Sequence, residues 1–278
     1  AGSALLMSMI GGYPVGARTI AQLLEQGRIQ PRTARRMLCF CINAGPAFVV
    51  STVGAALYSS VQAGLCLLAA HLGASAIVGF FICTGKETFE PAPPAEPLPL
   101  GTAFVHSVSG AAQSLIGICA FVVTFSGLRS LLWETGLLPR LVTALERLWP
   151  VSGGSAFYTA LLRGLLEVTD GCIAASALGG EQAFVLPAFL LSFGGVSVIC
   201  QAAAAFHRLP MSFGLLFFSR FVCFEMICTC CRAPLQSGAA EQNVFCISPD
   251  LCFWCICPGH AVHQNLNDFL MALFSGVK

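Results

Sequence analysis

Between Arg36 and Lys86 the chain carries no Asp, Glu, Lys or Arg, a stretch long enough for two membrane spans of about 20 residues each. Charge-free windows also cover residues 101–128 and 182–207, each suited to one span, and a fourth zone, 209–231, is apolar except for Arg220 and Glu225. Several of these segments are interrupted where helix is hard to continue. Gly11-Gly12-Tyr13-Pro14-Val15-Gly16 divides residues 4–26 into two arms too short to cross a bilayer, which predicts a re-entrant hairpin. Asn43-Ala44-Gly45-Pro46 breaks a span at 37–56, because Pro46 removes a helical hydrogen bond and disfavours helix at the residue before it. A continuous span at 60–83 follows.

A proline-rich stretch, residues 84–101, reads as an extended, semi-rigid linker dividing the chain in two. After it, a span at 102–133 leads to residues 139–149, where Leu141, Leu145 and Leu148 share a face opposite Arg140, Glu146 and Arg147. That is the pattern of a helix lying in the membrane interface. The second half then repeats the plan of the first: a hairpin at 154–180 with its tip at Glu167-Val168-Thr169-Asp170-Gly171, a span at 184–207 broken at Gly194-Gly195, and a continuous span at 210–231.

Three spans, an odd number, separate the two hairpins, so the copies are expected to be inverted in the membrane. Loop charge agrees. Arg28, Arg32, Arg35 and Arg36 follow the first hairpin and Glu181 alone follows the second, and positive loops tend to stay cytoplasmic. Interrupted apolar segments at matching positions of two halves are the best sequence pointer to a transporter binding site. Lipid gives an open backbone N–H or C=O no partner, so such breaks imply protein or a water-filled cavity around them. The plain alternative is that Gly and Pro are simply common in membrane helices.

Composition places the chain among polytopic all-α membrane proteins: 56% of its residues are hydrophobic and 10% charged, against roughly 25% charged in a soluble domain. The net charge of +1 and the lack of a basic stripe argue against nucleic acid as a partner. The first residues are Ala-Gly-Ser, without an initiator Met or signal-peptide pattern, and the expectation is a piece lacking one or more leading helices. Of the 15 cysteines, the first seven sit singly on apolar stretches as small buried hydrophobes.

Chemistry is expected at the interruptions. Tyr13, Pro14 and Gly16 form a tight tip whose freed amides and helix N-terminus suit an anionic group; the same residues also serve simply to turn the hairpin. Asn43, beside Gly45, donates and accepts, as a heteroatom-rich solute requires, or else caps the resumed helix. Thr169, Gly194, Gly195, Ser197 and Gln201 are the corresponding substrate contacts in the second half. Glu167 and Asp170 are the candidates for ion or proton coupling, since ionisable groups at membrane depth are functional hypotheses by default. Arg220 and Glu225 read as an internal pair or as the end of a span, and His71 and His106 as satisfied structural histidines.

No phosphate loop, zinc helix or nucleophile elbow is present, so neither catalysis nor a cofactor is expected. The tail, residues 233–278, carries much of a cysteine cluster running from Cys223 to Cys257, with His260 and His263 beyond it. Cys252-Phe-Trp-Cys255 has ligand spacing, but no second such pair follows, and metal is not expected there.

Gly12-Tyr13-Pro14-Val15-Gly16-Ala17, Asn43-Ala44-Gly45-Pro46-Ala47-Phe48, Leu166-Glu167-Val168-Thr169-Asp170-Gly171 and the run from Phe193 to Gln201 closely resemble the sporulation integral membrane proteins of the YlbJ type, of the nucleoside-recognition, or Gate, group. The resemblance covers about residues 8–231. It implies the hairpin and broken-helix arrangement of concentrative nucleoside transporters, found here in endospore-forming Firmicutes. It further implies a multi-pass protein of a membrane around the forespore that moves dipicolinate, a flat dianion. A non-transporting Gate-domain scaffold and a carrier of nucleoside-like solutes are the alternatives. Expected partners are the anionic solute, membrane lipid, and either further copies of the chain or sporulation membrane proteins. One departure stands out: where the family pattern leads us to expect Thr-Asn-Gly, this chain has Thr169-Asp170-Gly171. An acid there opposes direct contact with an anion unless it is protonated or holds a cation.

Overall fold

A computed structural model describes residues 2–83, 99–151, 153–179, 182–206 and 219–220. Most of the expected linker at 84–101 and of the span at 210–231, together with Glu181, Glu225 and the whole cysteine-rich tail, lies outside the described residues. Within them the chain is all helical: α1 (Gly2–Gly11), α2 (Tyr13–Glu25), α3 (Pro31–Leu38), a π-helix (Ala47–Leu57), α4 (Val61–Cys83), α5 (Leu100–Glu134), α6 (Leu137–Leu148), α7 (Gly154–Leu166), α8 (Val168–Ser176), α9 (Gln182–Phe193) and α10 (Gly195–Ala205).

Proline sets several of these starts. Pro14 and Pro31 occupy the first turns of α2 and α3, where a missing N–H is no loss and φ is already helical. Pro31 draws Arg32, Arg35 and Arg36 into α3 rather than the loop expected from their charge. The arm resuming after Pro46 is a π-helix of 11 residues, far longer than the single-turn π-bulge usually seen. It crosses α4 where Gly54 faces Gly64; a Cβ on Gly54 would lie 2.6 Å from Gly64 Cα, so only small residues permit the approach.

Among the described residues, three stretches are long and apolar enough to cross a membrane: Val61–Ile82, Leu100–Glu134, and Gln182–Ala205, which comprises α9 and α10. The 22 residues of Val61–Ile82 rise about 33 Å, close to a hydrocarbon core of about 30 Å. Its midpoint falls at His71 and Leu72. The 24-residue stretch Gln182–Ala205 has its midpoint at Phe193 and Gly194, where the helix is broken. The breaks therefore belong at mid-depth if these helices span.

The core gathers around α9, where ten of twelve residues are buried. α5 lies at the edge, with Phe125 its one buried residue, and its long apolar surface suits lipid. On α6, Leu138 and Val142 turn inward while Leu141 and Leu148 are exposed and Leu145 is half-buried.

Candidate functional site at the two helix breaks

The break after α3 frees carbonyls and amides that an unbroken helix would pair, and buried backbone groups rarely stay unpaired. Side chains from distant elements take them up. Arg220 donates to the carbonyls of Leu38 (3.1 Å) and Ile42 (2.5 Å); the latter is the acceptor that Pro46, four residues on, cannot reach for want of an N–H. Asn43 Nδ2 donates to the Phe40 carbonyl (2.9 Å) and to Ser8 Oγ (2.9 Å). Ser75 Oγ donates to Asn43 Oδ1 at 2.5 Å. The Ala44 N–H donates to His71 Nε2 at 3.1 Å. Asn43, His71, Ser8 and Ser75 are all fully buried.

The first hairpin tip packs on this break. Gly12 has φ 84°, a left-handed value that favours glycine, and a Cβ there would lie 3.3 Å from Gly45 N. Gly16 abuts the Cys41 carbonyl so closely that an added Cβ would stand 1.8 Å from its oxygen.

The second break is made by Gly194 and Gly195, both left-handed with φ 81° and 71°. Against Gly195 lie the carbonyls of the last turn of α7: a Cβ at Gly195 would meet the Gly164 oxygen at 2.9 Å and those of Leu165 and Leu166 at 3.4 Å. Tyr13 joins the two halves. Its hydroxyl donates to the Leu191 carbonyl at 2.6 Å, and its ring approaches Gly194. Tyr13 thus joins the first tip, to which it belongs, to the second break.

At the second tip the irregular backbone is confined to Glu167; Val168 to Gly171 already form the first turn of α8. Glu167 is the N-cap. Its carboxylate accepts from the N–H groups of Thr169 (3.1 Å) and Asp170 (2.8 Å), which satisfies otherwise orphaned donors and complements the helix dipole. Asp170 points elsewhere. Arg163 Nε donates to it at 2.8 Å and an Arg163 Nη at 2.5 Å, and Arg129 of α5 lies 3.1 Å away. Two guanidinium groups thus answer this acid.

Of the expected contacts, Tyr13, Gly16, Asn43, Gly45, Gly194 and Gly195 meet at the breaks. Pro14 and Thr169 lie half-buried in the first turns of α2 and α8. Ser197 is buried in α10 and accepts from Gln201 Nε2 at 3.3 Å, within that one helix. Sequence reasoning missed Arg18, which donates to Gly110 O (3.0 Å) and Ser114 Oγ (2.6 Å) of α5, and it missed Arg163 and Arg129 as partners of Asp170. An arginine inside a hairpin arm was the available signal. It also read His71 as satisfied, whereas Nδ1 is buried without a partner among the described residues. Among those residues, no group of three or more His, Cys, Asp or Glu side chains could hold a metal ion.

The chain is similar to the sporulation integral membrane protein YlbJ of Bacillus subtilis (strain 168), with 24% identity over 249 residues covering 80% of this chain and 60% of the relative. The chain thus spans about three-fifths of the length of the curated relative it matches. No family model matches, and no solved structure does. An integral membrane relative and three apolar helices of spanning length together support a membrane location.

Proposed function

We propose that this protein is a membrane transporter of a small anionic solute, with dipicolinate, moved during spore formation, as the leading cargo. The supporting observation is the Tyr13–Leu191 hydrogen bond, which draws a hairpin tip from one half against a helix break in the other, at the centre of a stretch long enough to span. In this reading α1–α2 and α7–α8 are re-entrant hairpins of an inverted repeat of the concentrative nucleoside transporter kind. Solute is held between the tips and the breaks, where the chain is non-helical and its polar groups are concentrated. Transport involves the loss of the tip-to-break contacts on one side. Glu167 is the coupling acid, being buried at the second tip.

The name of the B. subtilis relative supports the sporulation setting, and a forespore membrane is the location proposed. The test is uptake of labelled dipicolinate by proteoliposomes holding the full chain, with Asn43→Ala and Glu167→Gln as variants. Accumulation by the wild type that falls in both variants, at unchanged folding, supports the reading; undiminished uptake in both removes this placement of the site.

A second reading is a non-transporting membrane scaffold. It is favoured by one observation: Asn43 commits both its N–H groups to protein acceptors, so the break is held without a solute. Co-purification of a fixed partner, with no binding of any small anion, would favour it.

A further inference from the structure

We propose that Arg220 and His71 form an anion-binding point at the first helix break, one that receives a carboxylate of the solute. The inference rests on the transport reading above and assigns recognition to two residues that plugging the break does not explain.

Arg220 is 4% exposed and gives one N–H to Ile42 O and one to Leu38 O. A guanidinium has five N–H donors, so donors remain beyond these two. No carboxylate pairs with it among the described residues, which do not include Glu225, and a buried guanidinium favours an anionic partner. Capping two carbonyls does not need a charge. Asn43 takes up the Phe40 carbonyl at this same break as a neutral amide.

His71 repeats the surplus. It is fully buried at the midpoint of Val61–Ile82. Because Nε2 accepts the Ala44 N–H, a neutral ring carries its proton on Nδ1, and Nδ1 has no acceptor. Arg220 holds the Ile42 carbonyl and His71 the Ala44 amide two residues on, so the surplus donors share a neighbourhood. Glu167, the buried acid of the second tip, has its two oxygens engaged by the α8 amides. Surplus donors, one of them charged, beside non-helical backbone at mid-span are the complement of a carboxylate's two oxygens.

The experiment measures dipicolinate binding to the purified full chain by calorimetry, with inorganic phosphate as a second probe and nanodiscs of phosphatidylcholine or phosphatidylglycerol as the lipid arms. In His71→Met the side chain has no donor, and its sulfur leaves Ala44 a weak acceptor. Affinity should fall about tenfold in H71M and about a hundredfold in Arg220→Gln, as for lost charge-assisted hydrogen bonds, and H71M should still unfold cooperatively. If R220Q does not fold, H71M decides. Equal affinity in H71M and wild type overturns the inference, and wild-type uptake would then leave the transport reading standing. Weakened binding in H71M, with no uptake by wild-type proteoliposomes, upholds the anion point and removes transport. Binding of phosphate but not dipicolinate, competition by phosphatidylglycerol, or no anion binding at all overturns it.

Discussion

Tyr13 donates its hydroxyl to the Leu191 carbonyl at 2.6 Å, tying the tip of the first hairpin to the last turn before the second break. In a continuous helix that carbonyl would accept from residue 195, but the chain leaves helical geometry at Gly194, and the tyrosine supplies the donor instead. Tyr58 does the same for α9: it donates to the carbonyl of Ala183, the acceptor left open by Pro187 four residues on. Each break or proline in this core is thus matched by a side chain from far along the chain.

Tyr13→Phe keeps the ring against Gly194 and removes only the donor. A buried carbonyl left unpaired costs about 1–3 kcal/mol. The unfolding midpoint in detergent should fall by the equivalent amount, and Tyr58→Phe should behave alike. A Tyr13→Phe midpoint equal to wild type would mean that Leu191 finds another donor and that the two halves are not held by this bond.

How far the sequence foretold this arrangement follows from which forces are local. Gly194-Gly195 and Asn43-Ala44-Gly45-Pro46 declare their breaks through backbone chemistry that each residue carries with it. The partners do not declare themselves. Arg220 reaches Ile42 across 178 positions, and nothing in the spacing of either residue specifies the other. Arg163 and Asp170, seven apart, meet only because the turn at Glu167 folds α8 back on α7. Glu167 was legible as an acid at depth, while its capping role depended on where helix resumes, one residue later rather than four.

Two glycine-to-alanine changes separate close packing from helix propensity. At Gly16 a Cβ would stand 1.8 Å from the Cys41 carbonyl oxygen, so Gly16→Ala must drive α2 away from the first break. Gly117, within α5, has nothing within 4 Å of its added Cβ. Gly117→Ala should leave stability unchanged or raise it by about 0.5–1 kcal/mol. Gly16→Ala should reduce the yield of folded protein and its unfolding midpoint, as overpacking does. Size-exclusion profiles and thermal unfolding of the pair check this, and equal behaviour would mean that α2 does not lie against residue 41.

The two guanidinium groups around Asp170 make its place in the structure a question of charge balance. Asp170→Asn keeps the shape but leaves Arg163 and Arg129 as like charges on facing elements, and an amide cannot accept both bonds of the Arg163 fork. The pair is partly exposed, so solvent screening limits the loss to about 1–2 kcal/mol. Arg129→Gln alone should matter less, because Arg129 Nε makes no aligned hydrogen bond to the carboxylate. Adding Arg129→Gln to Asp170→Asn should recover part of the loss by removing the repulsion. Raising ionic strength should narrow the gap between Asp170→Asn and wild type. Unfolding midpoints of the four proteins at low and high salt measure these differences. A carboxylate that served instead as a coupling site would give a different pattern: Asp170→Asn would alter the cation or pH dependence of uptake while leaving the midpoint and its salt response where they were.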